Sequence, residues 1–347
     1  MTVSISGTDG VTFNDSSVQT TAATGFGMKN RIINGGMDIA QRGTSFTSGA
    51  NNDDAYVLDR FYILSDGNDI VDVTQTTTVP TGAKFSIGLD VETVNKKFGI
   101  AQIIENANCF DAIGGNVTVS FQAKVSATTN LDNVKCAIVA WSGTADTVTS
   151  DIISAWGAEG TNPTLIANAT YENTPANLNV TTSFATYSVT ANVDTASTSN
   201  IILFIWSDVT TTSLGEFLYI TNVQLEKGST ATSFDYRPIG TELALCQRYF
   251  QIVRNGIMLG NSAATIVVNS MLSPSMRATP SLSQQGVIQI TNGSTDTTQS
   301  SNSLTFANGA DNSLLYVMGN FSGLATNAAF GFRLGANTNG VTASAEL

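Results

Sequence analysis

Short runs in which every second residue is apolar dominate the chain between residues 28 and 240. These runs are residues 85–91, 117–125, 134–140 and 217–225. Each has the period of a half-buried strand, and clusters of Gly, Ser, Thr, Asn and Asp separate them. Strands at this spacing, without helices between them, predict a two-sheet sandwich. Side chains expected in its core include Val119, Phe121, Ile138 and Phe217.

The stretch from residue 143 to residue 175 departs from this alternation. It contains Trp156 and Tyr171 outside any clear strand pattern. We expect it to form loops at one end of the sandwich. A loop tryptophan has two interpretations: its ring face stacks against a sugar, or it plugs the open end of the sandwich. Trp156 and Tyr171 are therefore the candidate glycan contacts, with packing as the alternative.

The first 27 residues are rich in Gly, Ser and Thr and contain few apolar side chains. Val3 and Ile5 alternate with polar residues, as do Val11 and Phe13, so two short strands joined by a turn over residues 7–10 are predicted. Such a segment cannot build a core alone. It must either cover the chain's own sandwich or add strands to another protein, in which case these four residues carry the anchoring contacts.

A single helix is predicted near residue 241. Thr241 is a suitable N-cap and Glu242 suits the positive first turn. Leu243, Cys246 and Phe250 then fall on one apolar face. Just upstream, Arg237 is expected to pair with Glu226 or Asp235.

Alternating patterns return after this helix, at residues 265–268, 287–290, 314–318 and 328–334. They predict a second, smaller β domain. The predicted organisation is an N-terminal anchoring segment (1–27), a jelly-roll sandwich (28–240), and a linking helix with a C-terminal β domain (241–347), all within an all-β class.

Composition narrows the possible functions. Charged residues make up 12% of the 347 residues, about half of the ~25% usual for soluble proteins, which favours polar uncharged surfaces and contacts between copies. The formal net charge is −12, so neither nucleic acid nor an anionic membrane surface is an expected partner.

Cys109, Cys136 and Cys246 have no metal or disulfide spacing and are expected to be buried. Neither a signal peptide nor a membrane span is predicted.

Residues for catalysis are scarce. The sequence contains no histidine, which excludes Ser-His-Asp and Cys-His catalysis and His-ligated metals. No glycine motif for nucleotides is present, so no cofactor is expected. Carboxylate pairs remain for glycan hydrolysis, with ordinary surface carboxylates as the alternative. The candidates are Asp53, Asp54, Asp59, Asp90, Glu92 and Glu105.

Two acidic turns have the oxygen ligands that calcium prefers. One contains Asp66, Asn68 and Asp69, and the other contains Asp53 and Asp54. Neither has a glutamate at EF-hand spacing, and both also fit ordinary Asx turns. No metal ligand is assigned from the sequence, and calcium binding is left open.

Three segments, and a further stretch near residue 275, resemble bacteriophage tail proteins. RIINGGMDIAQRGTSF (31–46) with YVLDRFYI (56–63) resembles the opening of a jelly-roll module, and residues 218–251 resemble its end. Residues 7–23 are similar to the opening of many phage fibre proteins, although Ser16 and Ser17 replace the usual Gly-Thr. SPSMRATP, residues 273–280, is similar to the P-x-M-R-x-x-P that follows the helix in those proteins.

The resemblance implies a non-enzymatic structural protein of the virion, assembled in the host cytoplasm. Its jelly roll is similar to carbohydrate-binding modules, so the implied function is that of a homotrimeric tail fibre or receptor-binding protein. The implied partners are other virion proteins, through the N-terminus, and a host surface glycan or protein. The alternatives are a head-decoration, collar or adaptor protein and, third, a glycan depolymerase.

Overall fold

The computed structural model describes residues 28–254, 257–262, 264–285, 288–291, 296–299, 304–310, 313–319, 321, 324, 328–333 and 340–347, together with the short strands at 4–6, 10–12 and 18–19. Within these ranges the regular elements are almost all β-strands in antiparallel pairs, and the three helices are short. The prediction of an all-β fold built from sandwiches is confirmed.

The N-terminal segment forms a small sheet of its own. Strands β1 (Ser4–Ser6), β2 (Gly10–Thr12) and β3 (Val18–Gln19) pair in that order. Ile5 lies opposite Val11 in the register of β1 and β2. The alternation predicted the first two strands, and β3 adds to them.

Residues 28–240 contain the first sandwich. In chain order its elements are β4 (Ser45–Phe46), β5 (Tyr62–Ser65), β6 (Val71–Thr76), β7 (Ser86–Val91), β8 (Phe98–Ile104), α1 (Asn106–Cys109), β9 (Asn116–Val125), α2 (Thr128–Leu131), β10 (Val134–Trp141), β11 (Ile153–Ala155), β12 (Thr164–Leu165), β13 (Ala169–Tyr171), β14 (Ala185–Asn192), β15 (Asn200–Ser207) and β16 (Phe217–Lys227). One sheet has the order β13-β10-β15-β8-β5 and the other β14-β9-β16-β7-β6-β4. They face each other across the main core.

The alternating positions of β9 and β10 fill that core as predicted. Val119, Phe121 and Ile138 are buried there. Phe217 is not, and its predicted burial is wrong. Leu218 and Ile220, the even positions of β16, point inward instead.

A β-bulge in β16 explains this difference. The register with β9 shifts between Thr221 and Gln224, and Asn222 has a φ of 50°. The extra residue reverses which side chains point inward, so Val223 and Leu225 are buried beyond the bulge. Applying one period of two across residues 217–225 therefore assigns the first half of the strand to the wrong face.

The five-stranded sheet is buried on both faces. Every residue of β10 and β15 is buried, because most of the stretch from residue 143 to residue 175 lies across the outer face of the sheet and does not simply form loops at one end. Within this stretch, β13 is the edge strand of the sheet itself. Val148, Ile152 and Trp156 pack there with Phe204 and Trp206, whose rings stack with centroids 4.4 Å apart. We call this stretch, residues 143–175, the covering layer.

A buried charge cluster holds part of the covering layer in place. The Asp208 carboxylate lies 2.5 Å from Lys97 Nζ and 2.8 Å from Lys135 Nζ. Lys97 also donates to the carbonyl oxygens of Ala158 and Thr161, at 2.8 and 3.0 Å. The two ammonium groups lower the pKa of Asp208 below its usual value in spite of burial. Burial of these charges is tolerated because each is paired and hydrogen-bonded.

The predicted helix is α3 (Ile239–Gln247), but its details differ from the prediction. Pro238 occupies the N-cap position, so the assignment of Thr241 as the N-cap is wrong. Cys246 is buried and Leu243 packs beside it, whereas Phe250 is buried in the strand that follows.

Arg237 pairs with Glu242 at 3.0 Å, which corrects the expected pairing with Glu226 or Asp235. Glu242 also accepts a hydrogen bond from the backbone N–H of Asn34. This ion pair therefore ties the first turn of α3 to the first sandwich.

The chain continues as β17 (Phe250–Val253), β18 (Ile257–Gly260), β19 (Ile266–Met271), β20 (Ser281–Gln285), β21 (Ile288–Thr291), β22 (Asp296–Gln299), β23 (Leu304–Ala310), β24 (Ser313–Met318), β25 (Ala329–Arg333) and β26 (Gly340–Ser344). A sheet ordered β17-β26-β20 and one ordered β22-β21-β25-β18-β19-β24-β23 enclose a second core. The patterns after the helix predicted strands here correctly. The boundaries at residues 27 and 240 stay predictions.

The three cysteines are free and buried, as expected. Burial raises the pKa of Cys109 to about 11. Cys246 is buried beside α3 with Tyr249, and its pKa is likewise raised. These thiols therefore act as small apolar side chains in the described structure.

Truncation of Phe250 tests the junction after α3. Phe250 is 4% exposed, and the Arg42 guanidinium carbon lies 3.7 Å from its ring centroid. Phe250→Ala should lower the free energy of unfolding by about 3–5 kcal/mol in urea titration. Phe110→Ala, at a ring that is 65% exposed, is the matched control and should change it little. Equal effects of the two substitutions would contradict this packing.

Replacement of Asp54 tests the electrostatics of the turn before β5. Burial, with Asp53 and Asp151 nearby, raises the pKa of Asp54 from 3.8 to about 7. A raised carboxyl pKa gives stability that is present at acidic pH and lost as the pH rises through 7. Asp54→Asn should therefore stabilise the protein at about pH 8 by about 1–2 kcal/mol, discounted for partial exposure, and should change little at about pH 4.

Thermal unfolding at both pH values measures this effect. Asn tolerates the φ of 66° at this position, so the substitution changes charge more than shape. Asp66→Asn, at a surface carboxylate 3.2 Å from Lys96, is the control and should shift stability by less than about 0.5 kcal/mol at either pH. A stabilisation of Asp54→Asn that is equal at both pH values would be inconsistent with the assignment.

Candidate functional site

The outer faces of the two sheets in the first sandwich differ. The covering layer and Leu347 pack over the five-stranded sheet. The six-stranded sheet has partly exposed residues at its outward positions, including Lys124, Phe217 and Tyr219. We call this second surface the open face. It is where the first sandwich presents aromatic rings on a regular strand surface.

Aromatic rings lie side by side on the open face. Phe217 and Tyr219 stack with centroids 5.3 Å apart and ring planes 6° from parallel. Lys124 Nζ lies 5.1 Å from the Tyr219 centroid and 5.4 Å from that of Phe184. We call these four residues the aromatic platform. A cation over ring faces is favourable and holds the rings in place.

Gly88 provides the space for the Tyr219 ring. The two residues are cross-strand partners in β7 and β16. A Cβ atom at Gly88 would lie 3.3 Å from Tyr219 Cε1 and 3.1 Å from Thr74 Oγ1. Without that atom, the ring can lie close to the sheet.

Carboxylates adjoin the platform. Asp90 is the cross-strand partner of Phe217 on one side and of Asp72 on the other. Burial, followed by repulsion from Glu92 and Asp72, raises the pKa of Asp90. Burial, followed by Glu92 and Asp69, raises that of Asp72. The Oδ1 atom of Asp90 is buried and has no hydrogen-bond partner among the described residues.

This arrangement suits a ligand with an apolar face and hydroxyl edges. The face of an aromatic ring carries partial negative charge and attracts C–H groups, which line one side of a pyranose. A carboxylate accepts hydrogen bonds from hydroxyl groups. The unpartnered oxygen of Asp90 and the Phe217 ring offer these two interactions within one strand pair.

The predicted glycan contacts lie on the opposite side of the sandwich. Trp156 is 8% exposed and makes an edge contact with Phe204, with centroids 5.9 Å apart. Tyr171 packs beside it, and its hydroxyl donates to the Pro163 carbonyl at 2.8 Å. These placements favour the packing interpretation for both residues, and their contact with glycan stays an untested prediction.

The predicted anchoring residues are only partly described. Ile5 and Val11 are register partners in the backbone pairing of β1 and β2. Val3 and Phe13 lie outside the described residues. Docking of this sheet to a partner stays a prediction.

Two of the other candidate carboxylates, Asp59 and Glu105, form internal contacts. Asp59 accepts from the Gln41 backbone at 2.6 Å and from its amide at 2.5 Å. Glu105 binds Arg248 and the Tyr249 hydroxyl, each at 2.8 Å. These two carboxylates therefore have structural partners of their own.

The two turns considered for calcium also make protein contacts. Asp69 accepts from Asn51 at 2.9 Å, and Asp53 accepts from the Ser65 backbone at 2.7 Å. No group of three potential ligands among His, Cys, Asp and Glu is assembled in the described part of the chain.

No described helix is long and apolar enough to span a bilayer.

The alternation over residues 217–225 assigns both Phe217 and Tyr219 to the buried face of the strand, so the sequence does not predict the platform. The consecutive polar residues Thr221 and Asn222 were a usable signal, since they interrupt the alternation inside an otherwise apolar strand. A bulge at this point places the two aromatic residues on the outer face.

No protein-family model matches the chain, and none of the curated proteins matches it. Among solved structures, it is similar to the enzymatically active domain of tailspike protein 4 from bacteriophage CBA120, with 18% identity, a TM-score of 0.34 and coverage of 57% of this chain and 21% of that one. A putative sugar binding protein from Bacteroides thetaiotaomicron has 14% identity and a TM-score of 0.35, with 57% of this chain and all of that one covered (100%). The CBM22-1 xylan-binding domain from Paenibacillus barcinonensis has 14% identity and a TM-score of 0.28, with 49% and 87% covered.

Proposed function

We propose that the open face binds a surface glycan, and that the chain is a non-enzymatic structural protein of a bacteriophage particle, in the role of a tail fibre or receptor-binding protein. The observation that carries the glycan proposal is the stacked Phe217–Tyr219 pair beside the unpartnered Asp90 oxygen. The phage assignment rests on the sequence segments at 7–23, 31–46 and 218–251.

The polarity of the open face points to a neutral sugar unit. Asp72 and Asp90 would repel a sugar that carries a carboxylate, whereas they accept hydrogen bonds from hydroxyl groups. Burial and the charge of Asp90 raise the pKa of Tyr219 in spite of a hydrogen bond with Thr78, so its hydroxyl adds no negative charge to the open face. One flat platform gives modest affinity. A homotrimer, which we also propose, would strengthen attachment to a repeating glycan through avidity.

Glycan-array binding by the full chain tests this proposal. Tyr219→Ala removes a platform ring and should weaken binding to the best glycan by about tenfold or more. Phe110→Ala removes an exposed ring from the loop after α1 and should leave binding unchanged. Because Tyr219 is partly exposed, the unfolding midpoint should stay close to that of the wild type. Glycan binding that is unaffected by Tyr219→Ala would refute the assignment of the platform.

The pH dependence tests the role of Asp90. Its raised pKa means that protonation begins at a higher pH than for an ordinary carboxyl group. Glycan affinity should therefore fall as the pH is lowered through that pKa, because a protonated carboxyl group accepts hydrogen bonds less well. The Asp90→Asn variant should bind glycan weakly at all pH values, and its affinity should no longer depend on pH in this range. Release of reducing ends from a bound polysaccharide would instead support the depolymerase alternative.

We also propose that residues 1–27 dock onto another virion protein. A sheet of three strands of two or three residues each cannot be stable in isolation. Deletion of residues 1–27 should leave a folded, glycan-binding protein that no longer enters particles. Unfolding of the first sandwich on deletion, or normal incorporation of the truncated chain, would favour strands that cover the chain's own sandwich. Antibody labelling of intact particles separates a tail fibre from a head-decoration, collar or adaptor protein.

A further inference from the structure

A second concave site lies where the first sandwich meets α3 and the strands that follow it. This cleft has a volume of about 450 Å³, within the usual range for small-ligand sites. Amide and guanidinium groups dominate its lining, and none of the described residues that line it has a carboxylate. The lining residues used below are Gln41, Arg42, Gln247, Gln251, Arg254 and Gln285.

Arg42 is held rigidly at the edge of the cleft. Its guanidinium carbon lies 3.7 Å from the centroid of the Phe250 ring and 5.4 Å from that of Tyr56. One terminal nitrogen donates to Glu346 at 2.9 Å. The Nε atom is buried without a hydrogen-bond partner among the described residues. Arg42 therefore keeps a donor that no described group satisfies.

The charge around Arg42 favours an anion. Arg60 shares the Glu346 carboxylate with Arg42, and Arg277 donates to the backbone carbonyl oxygens of Ala345 and Glu346. Asp59 lies near Arg42, and burial raises its pKa. The guanidinium groups of Arg42, Arg60 and Arg277 thus lie near two carboxyl groups, those of Glu346 and Asp59. This local excess stands out in a chain whose formal net charge is −12.

The amide nitrogens of Gln41 and Gln251 in the cleft already donate hydrogen bonds, whereas their amide oxygens can still accept them. Gln41 Nε2 donates to Asp59 and to the Phe250 carbonyl. Gln251 Nε2 donates to the carbonyl oxygens of Gln247 and Pro274, at 2.9 and 2.8 Å. No described residue donates to either Oε1 atom. Gln285 Oε1 is buried and likewise unpartnered within the described chain.

We propose that this cleft binds a hexuronic acid unit of an acidic polysaccharide. Guanidinium donors, with Arg42 Nε foremost, meet the carboxylate, and the unpartnered Gln oxygens accept from the sugar hydroxyl groups. A simple anion would leave those acceptors unsatisfied, and a neutral sugar would leave the Arg42 donor unsatisfied. The site is separate from the aromatic platform and has the opposite charge preference.

Calorimetric titration of the full chain with sodium glucuronate, glucose and sodium phosphate tests the proposal. Glucuronate should bind about tenfold or more tightly than glucose, which has the same ring without the carboxylate, and than phosphate, which has no hydroxyl-bearing ring. Binding should weaken in about 1 M salt because screening reduces the attraction between charges. Glucose or phosphate binding as tightly as glucuronate, or no heat with glucuronate, would overturn the proposal.

Variants locate the binding. Gln285→Ala and Arg254→Gln should each weaken glucuronate binding by about tenfold. Lys96→Ala, which removes an exposed cation paired with Asp66, and Tyr219→Ala on the open face should leave it unchanged. Loss of glucuronate binding in Tyr219→Ala but not in Gln285→Ala would place the ligand on the platform and overturn the assignment to the cleft. The comparison of glucuronate with glucose on the wild-type chain decides the question even where a variant fails to fold.

Discussion

Burial of the five-stranded sheet on both faces is the constraint on which the rest of the first sandwich depends. Every residue of β10 and β15 is buried. The apolar outer face must therefore be covered, and most of residues 143–175 cover it. Hydrophobic burial favours the covering layer without fixing its position. The Lys97–Asp208–Lys135 cluster fixes the position of the covering layer, because any shift that separated these buried charges would be strongly unfavourable. With one face closed in this way, the exposed aromatic surface of the sandwich lies on the other sheet.

Close approach of strands on the closed face shows how tightly this constraint acts. A Cβ atom at Gly99 would lie 2.2 Å from the Ile205 carbonyl oxygen and 2.6 Å from the Cβ of Trp206. The glycine therefore lets Trp206 lie against β8, where its ring stacks on Phe204. On the open face, Gly88 has a similar relation to Tyr219. The same device serves packing on one sheet and display on the other.

The alternation of apolar and polar residues predicted most of the strands correctly, but it did not predict the aromatic platform. In β9 and β10 the period of two is unbroken, so Val119, Phe121 and Ile138 could be placed in the core from the sequence. In β16 a single extra residue reverses the phase, and such a bulge depends on pairing with β9 and β7, which the sequence alone does not show. The helix was predicted to start near Thr241, but it begins at Ile239 because Pro238 occupies the N-cap position. Trp156 was recognised as a loop aromatic, but which surface it covers depends on the distant strands β10 and β15.

The platform and the cleft place opposite chemistry at two sites of one chain. Asp72 and Asp90 beside aromatic rings disfavour acidic sugars, whereas the guanidinium groups and amide oxygens around Arg42 favour them. Each site alone offers few contacts and would bind a single sugar weakly. If both proposals hold, a polysaccharide with neutral and acidic units would engage both sites, and the second contact would form at the high effective concentration set by the first. A polymer of one unit type would gain no such advantage. Selectivity would then follow from the pattern of charge along the glycan more than from the fit of any one sugar.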